Sequence, residues 1–275
     1  MTSPDFLNGG NMVLIGARWD DEMQNRRLKN AKDNGLIKFI EINYPIANQE
    51  NPYEIEIPFF AHSANNPLCS AFGLDFNLLE MIKKEADRYD SPWIGEHLSW
   101  SSFQNGNALG YVLNPIYNED FFKIAIDNIT TIQKHYNRPV ALELGPQYDV
   151  KGDFADEVDF LVSVARATKS HVILDLTHLL ISNHNLGRGL DYGFDRFLSA
   201  DTVEIHIAGI RESYNQEFWH DCHDVLPSQK TLDLLREFLA HTKTVKAITF
   251  EHSAAATESD FYSGLESLHK TLANV

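Results

Sequence analysis

Six ionisable residues stand near the ends of short apolar runs in this chain: His62, His97, Glu143, Asp175, His206 and Glu251. Three more follow in expected loops. His178 comes three positions after Asp175 in DLTH, and Asp221 and His223 flank a cysteine in HDCHD. Imidazole and carboxylate without thiolate is a donor set for iron, manganese or zinc, and it does not choose among them. Nine ligands exceed what one ion takes, so two or three ions sharing carboxylates are expected. Any one of these residues alone reads more simply as a hydrogen-bonded core histidine or a carboxylate paired with arginine. The set reads differently. Four carboxylates in one cavity repel unless protonated or neutralised, and Arg18 is the one obvious inward cation. Bound metal supplies the missing positive charge.

The elements that must position these groups recur along the chain. Eight β-rich runs begin at Val13, Lys38, Ile57, Pro92, Arg138, His171, Thr202 and Lys246. Between them lie amphipathic segments: Phe76–Arg88, Glu119–His135, Phe154–Thr168 and Gln229–His241, with shorter helices near Asp21–Asn34, Phe194–Leu198 and Ser259–Leu272. Strands alternating with helices imply parallel strands with helical crossovers, and 275 residues suit one α/β barrel. The expected fold is a (β/α)8 TIM barrel, with residues 1–275 forming a single domain.

Strand side chains alternate between faces, so parity tests whether the polar set converges. One register sends Gly95 and His97, Ala141 and Glu143, Ile173 and Asp175, and Thr249 and Glu251 inward. The outward set, including Ile94, Leu142, Leu174 and Phe250, is what covering helices need. The polar residues then meet at the barrel mouth, where active sites of this fold sit. Glu41 and Glu204 share the inward parity at a depth the pattern does not give. Glu96 and His252 point outward, and His184 sits in an expected loop, SNHNLG.

Bulk composition removes several classes. The formal charge is −16, with 39 acidic against 23 basic residues, and nucleic-acid binders need a basic footprint. No long charge-free run suggests a membrane span. MTSPDFLNGG lacks the basic start and apolar stretch of a signal peptide, so a cytoplasmic location is expected. Cys69 and Cys222 form neither CxxC nor a disulfide framework.

Taken in order, IGAR, His62, GEHLSW around His97, NPIYNEDFFKIAIDNI, VALELGP with Glu143, ILDLTH with Asp175, EIHIAG with His206, DCHD and TFEH resemble a known family. It is the multinuclear non-haem iron-dependent oxidative enzymes, which include the iron enzyme of methanobactin biosynthesis. The resemblance implies a barrel holding two or three irons and activating O2. It implies a ribosomally made precursor peptide as substrate, often oxidised at cysteine, and often presented by a separate recognition protein. Glu143 and Asp175 are then required for turnover, and Arg18 or Arg211 would hold a substrate carboxylate or backbone. Many relatives have Asn where this chain has His178, which favours a third ion. The chain departs from the pattern at SANNPLCS after His62, at Leu144, and at IAGI after His206. The alternative is a non-redox barrel of the xylose isomerase or endonuclease IV type, where ions act as Lewis acids or generate hydroxide.

Overall fold

A computed structural model describes residues 13–46, 52–100, 113–215 and 217–273. The MTSPDFLNGG segment lies outside the described residues. Eight parallel strands close a barrel: β1 (Leu14–Trp19), β2 (Phe39–Tyr44), β3 (Phe59–Ser63), β4 (Ile94–His97), β5 (Val140–Glu143), β6 (His171–Asp175), β7 (Thr202–Ile207) and β10 (Ala247–Phe250). They correspond one for one to the eight apolar runs. β8 (Gly209–Glu212) and β9 (Trp219–Cys222) form a separate antiparallel hairpin after β7. The hairpin was not legible in the sequence. Its base is tight: a Cβ on Gly209 would lie 2.3 Å from the Val225 carbonyl oxygen.

The helices are α1 (Asn25–Asp33), α2 (Phe76–Arg88), α3 (Glu119–Tyr136), α4 (Glu157–Thr168), α5 (Leu176–Asn185), α6 (Phe194–Ser199), α7 (Gln229–His241) and α8 (Glu258–Leu272). Local chemistry sets several starts. Asp75, Asn118, Ser228 and Thr257 each place a side-chain oxygen on a first-turn backbone N–H, a cap contributing about 1 kcal/mol. α4 begins three residues later than its apolar pattern suggests. Asp156 is its cap, its Oδ1 taking the Asp159 N–H at 2.7 Å.

α5 was not expected, because LTHLLISNHN reads as loop. Leu176 to Asn183 are all buried, so the segment lacks the polar stripe that marks a surface helix. His178 and His184 therefore stand on a helix, and their assignment to loops is corrected.

Inside the barrel, Leu14, Phe39, Phe60, Trp93, Ile173 and neighbouring apolar side chains fill the N-terminal half. Phe39 and Phe60 stack with ring centroids 4.1 Å apart. The larger core lies between strands and helices and contains Ile94, Leu142, Leu174, Ile248 and Phe250, the outward set that parity assigned. Between β6 and β7 the register shifts: Val172 pairs with Thr202, but Ile173 pairs with Glu204. The extra residue brings Glu204 and His206 level with Ile173 and Asp175.

Candidate metal centre

Apolar packing occupies the lower barrel, and the polar strand ends above it converge. Strand register sets His97 beside Glu143, Asp175 beside His206 and Asn43 beside His62. Glu251 lies just past β10, with its N–H bonded to the Ile207 carbonyl at 2.9 Å. His62 needs space in the wall. A Cβ on Gly95 would stand 2.2 Å from His62 Cδ2 and 2.9 Å from Ile173 Cδ1. Glycine in GEHLSW thus leaves the volume that the neighbouring imidazole fills.

Glu143 is the hub. Its Oε2 lies 2.9 Å from His62 Nε2, 3.2 Å from His97 Nε2 and 3.5 Å from His206 Nδ1, while Oε1 lies 3.3 Å from His178 Nδ1. Two donor sets share it: His62, His97 and Glu143, and Glu143, Asp175 and His206. Asp175 divides its two oxygens. Oδ1 caps α5 by accepting the His178 backbone N–H at 2.6 Å, which leaves Oδ2 buried without a hydrogen bond.

His178 sits one turn into α5. Its Nδ1 is 2.9 Å from the Leu144 carbonyl oxygen; a carbonyl only accepts, so Nδ1 carries a proton. Nε2 faces Asp221 Oδ2 at 3.5 Å. Asp221 belongs to β9 and His223 follows it, so the hairpin brings both over the mouth. His223 Nε2 lies 2.8 Å from Asp221 Oδ2 and 3.2 Å from Glu251 Oε2. Arg18 closes the circuit from β1, with Nη1 3.2 Å from Glu251 Oε1 and Nε 2.7 Å from Asp20 Oδ1. All nine residues singled out in the sequence meet in one region, and Arg18 joins them. Arg211 does not: it is exposed and bonded to both oxygens of Asp224, so its expected substrate role is withdrawn.

Within the cluster the positive charge facing the carboxylates comes from protonated imidazoles and Arg18. Burial opposes ionisation of Glu143, yet the nearby His97 and His206 rings and a hydrogen bond from His178 hold it well below the carboxylate range. Burial is likewise overcome at Glu251 by Arg18 and His223. Asp175 goes the other way. Burial, with repulsion from Glu251, Glu143 and Asp221, lifts it to about 7 despite His178. Burial lowers His97 to about 4, whereas Glu251 and Asp221 raise His223 to about 10 against burial. Where imidazoles hold protons so strongly, a metal ion can replace the protons as counter-charge.

The fit of a metal is tested by the atoms left over. Buried polar atoms lacking a hydrogen bond include His97 Nδ1, Asp175 Oδ2, His206 Nδ1, Asp221 Oδ1 and His223 Nε2. Native proteins leave few such atoms, and here five belong to one cluster of metal-type donors. The residues fit a metal centre. A cavity of about 400 Å³ opens directly onto it, bordered by Arg18, Asn43, Asn114 and Tyr148 as well as the cluster. That volume is within the range of small-ligand pockets.

Several residues left open by the sequence find structural roles. Glu96 points outward, accepting from Tyr136 Oη and Asn66 Nδ2, each at 2.7 Å, and burial pushes it up to about 7. His184 stacks on Trp219 at 4.0 Å. His252 is buried beside Phe250 and Phe261. Cys222 ends β9, with its thiol bonded to Asp224 Oδ1. Tyr148 and Asn43 were missed as cavity residues, because neither a loop tyrosine nor an asparagine carries a sequence signal.

The fold and site define a TIM-barrel protein with a candidate metal centre at the C-terminal mouth. Solved structures share the architecture. The IOLI protein, determined with a zinc atom, superposes with a TM-score of 0.62 at 13% identity, covering 95% of this chain and 97% of the other. D-psicose 3-epimerase from Clostridium cellulolyticum H10 gives 0.59 at 12% identity, covering 95% and 97%. These identities establish fold alone. The family is established by sequence: residues 31–262 match the profile of the RiPP precursor modification enzyme MbnB/TglH/ChrH. The chain belongs to that family. Among curated relatives, a UPF0276 protein of Caulobacter vibrioides is 28% identical over 204 residues, covering 69% of this chain and 70% of the relative. One of Psychromonas ingrahamii is 23% identical over 218 residues, covering 76% of each. No helix among the described residues is long and apolar enough to cross a membrane.

Proposed function

We propose that this protein is an O2-dependent oxidative enzyme that uses two or three irons to modify a side chain, often cysteine, of a ribosomally made precursor peptide. The observation that carries the multinuclear part is Glu143, shared by two donor sets and approached by four imidazoles. A carboxylate so placed is a natural bridge between ions. His62, His97 and Glu143 would hold one ion; Glu143, Asp175, His206 and Glu251 a second; His178, Asp221 and His223 a third. Membership of a RiPP-modifying family supports a peptide substrate. Presentation by a separate recognition protein belongs to the same reading.

When bound, iron would supply the redox chemistry with O2 that these side chains lack. The chain's own residues do the rest. Glu143, Asp175, Asp221 and Glu251 provide anionic donors, and α5 holds Asp175 and His178 in fixed relation. Arg18 remains cationic beside Glu251 at the cavity edge, where its guanidinium would hold a substrate carboxylate or backbone carbonyl through charge-assisted bonds. The cavity, at about 400 Å³, is wide enough to admit a side chain or a short turn against the donor cluster.

Elemental analysis after expression in iron-supplemented medium tests the reading. Between two and three equivalents of metal, chiefly iron, are expected per chain. Less than one equivalent would overturn it. Full loading with zinc or magnesium, and no redox-active absorption, would instead favour the non-redox isomerase or hydrolase alternative.

A further inference from the structure

Beneath the candidate metal centre lie two inward carboxylates that the proposed chemistry does not use. Glu204 is held by fixed partners. Its Oε1 accepts the Thr249 hydroxyl at 2.6 Å and its Oε2 the Trp93 indole N–H at 2.7 Å. It stands 3.7 Å from His206 Nε2, beyond hydrogen-bond reach. Glu41, on β2 and 2% exposed, is different. Its Oε2 lies 3.2 Å from His206 Nε2, and that ring provides the hydrogen bond through which Glu41 is tied to the site.

The opposite edge of the same ring faces the donor cluster. His206 Nδ1 is buried without a hydrogen bond and lies 3.5 Å from both Glu143 Oε2 and Glu251 Oε1. A ring nitrogen facing two carboxylates needs a proton or a metal ion between them, and a metal at Nδ1 leaves the ring's proton on Nε2. We propose that Glu41 is a positioning residue: it accepts the Nε2 proton of His206 and thereby fixes Nδ1 as the atom presented to metal. The proposal rests on the metal-centre reading above. With Nδ1 turned towards the donor cluster, Nε2 is the ring nitrogen left to carry the proton, and Glu41 Oε2 at 3.2 Å is within reach to accept it. A carboxylate on the far ring nitrogen also raises the basicity of a ligating imidazole, and losing such a partner typically weakens metal binding about 10–100-fold. Its location explains why β2 carries an acidic residue in the barrel interior.

The test uses the full chain, wild type and the variants Glu41→Gln and Glu41→Leu, stripped of metal and titrated anaerobically with Fe2+ or with Zn2+ alone. Glu41→Gln keeps an acceptor but loses the charge, and binding about 10-fold weaker is expected. Glu41→Leu removes the acceptor, with a loss towards 100-fold, while stoichiometry at saturating metal stays at the wild-type value. Nitrogen NMR of histidine-labelled protein reads the tautomer directly. His206, assigned by its absence in His206→Gln, should be in the Nε2–H form in wild type and lose slow exchange of that proton in Glu41→Leu. A merely structural role would lower melting temperature without moving the tautomer. Unchanged affinity and tautomer in both variants would overturn the proposal, as would loss of a whole metal equivalent in Glu41→Gln, which would make Glu41 a ligand. If wild type takes up no metal, the metal reading fails by itself. Exchange of the His206 Nε2 proton, compared between metal-free wild type and Glu41→Leu, then still decides whether Glu41 holds His206.

Discussion

At the residue scale, the centre depends on how each side chain divides its polar atoms. Asp175 spends one oxygen on the helix cap and keeps the other for the cluster. His178 donates a hydrogen bond from Nδ1–H to the Leu144 carbonyl and aims Nε2 at Asp221. That division makes His178 the residue that separates a two-ion from a three-ion centre. Its Nε2, Asp221 and His223 form a half-shell beside Glu251. Imidazole binds iron far better than an amide does. His178→Asn is therefore expected to lower metal content by about one equivalent, a stoichiometric expectation for one ion losing a ligand of its half-shell, with the other ions retained. Iron analysis and peptide turnover check this. Unchanged values for both would leave His178 a helix residue bonded to a carbonyl.

At the element scale, the positions of the donors follow from strand packing. β3 can turn His62 into the barrel only because β4 offers Gly95 beside it. Adding a methyl there places carbon 2.2 Å from the imidazole, and both groups sit on hydrogen-bonded strands that move little. Gly95→Ala should cost about 1–3 kcal/mol of stability, the usual range for overpacking. It should also displace His62 from Glu143. Urea unfolding of the metal-free protein gives the first quantity, and metal content the second. A variant matching wild type in both would contradict this account of Gly95. The hairpin of β8 and β9 has the complementary role, since it carries Asp221 and His223 over strand ends that they could not reach from within the barrel.

At the scale of the whole molecule, the centre joins β1, β3 to β7, β10, α5 and the hairpin, so a bound ion would tie together segments distant in sequence. Anything that binds the folded state alone stabilises it, by about 2.7 kcal/mol at a free concentration 100 times Kd. Stripping metal with a chelator is expected to leave a folded barrel with a lower melting temperature, because the apolar core is independent of the rim. Returning Fe2+ should restore the higher value. Identical melting with and without metal would argue against binding at this site.

Periodicity determined much of this protein. Eight apolar runs marked the barrel strands, and alternation within them placed Glu143, Asp175 and Glu251 on the inner face, because side chains along a strand point alternately to the barrel interior and to the covering helices. The length and order of those runs implied the barrel. Tertiary structure decided the rest. α5 is buried on nearly every side and lacks the polar stripe that would announce it. The shift between β6 and β7 aligns His206 with Asp175 through one extra residue that no residue type signals. The pairing of Glu41 with His206 joins positions far apart in the chain. Such contacts depend on how closed strands are staggered, and alternation within one strand carries no information about its stagger against the next.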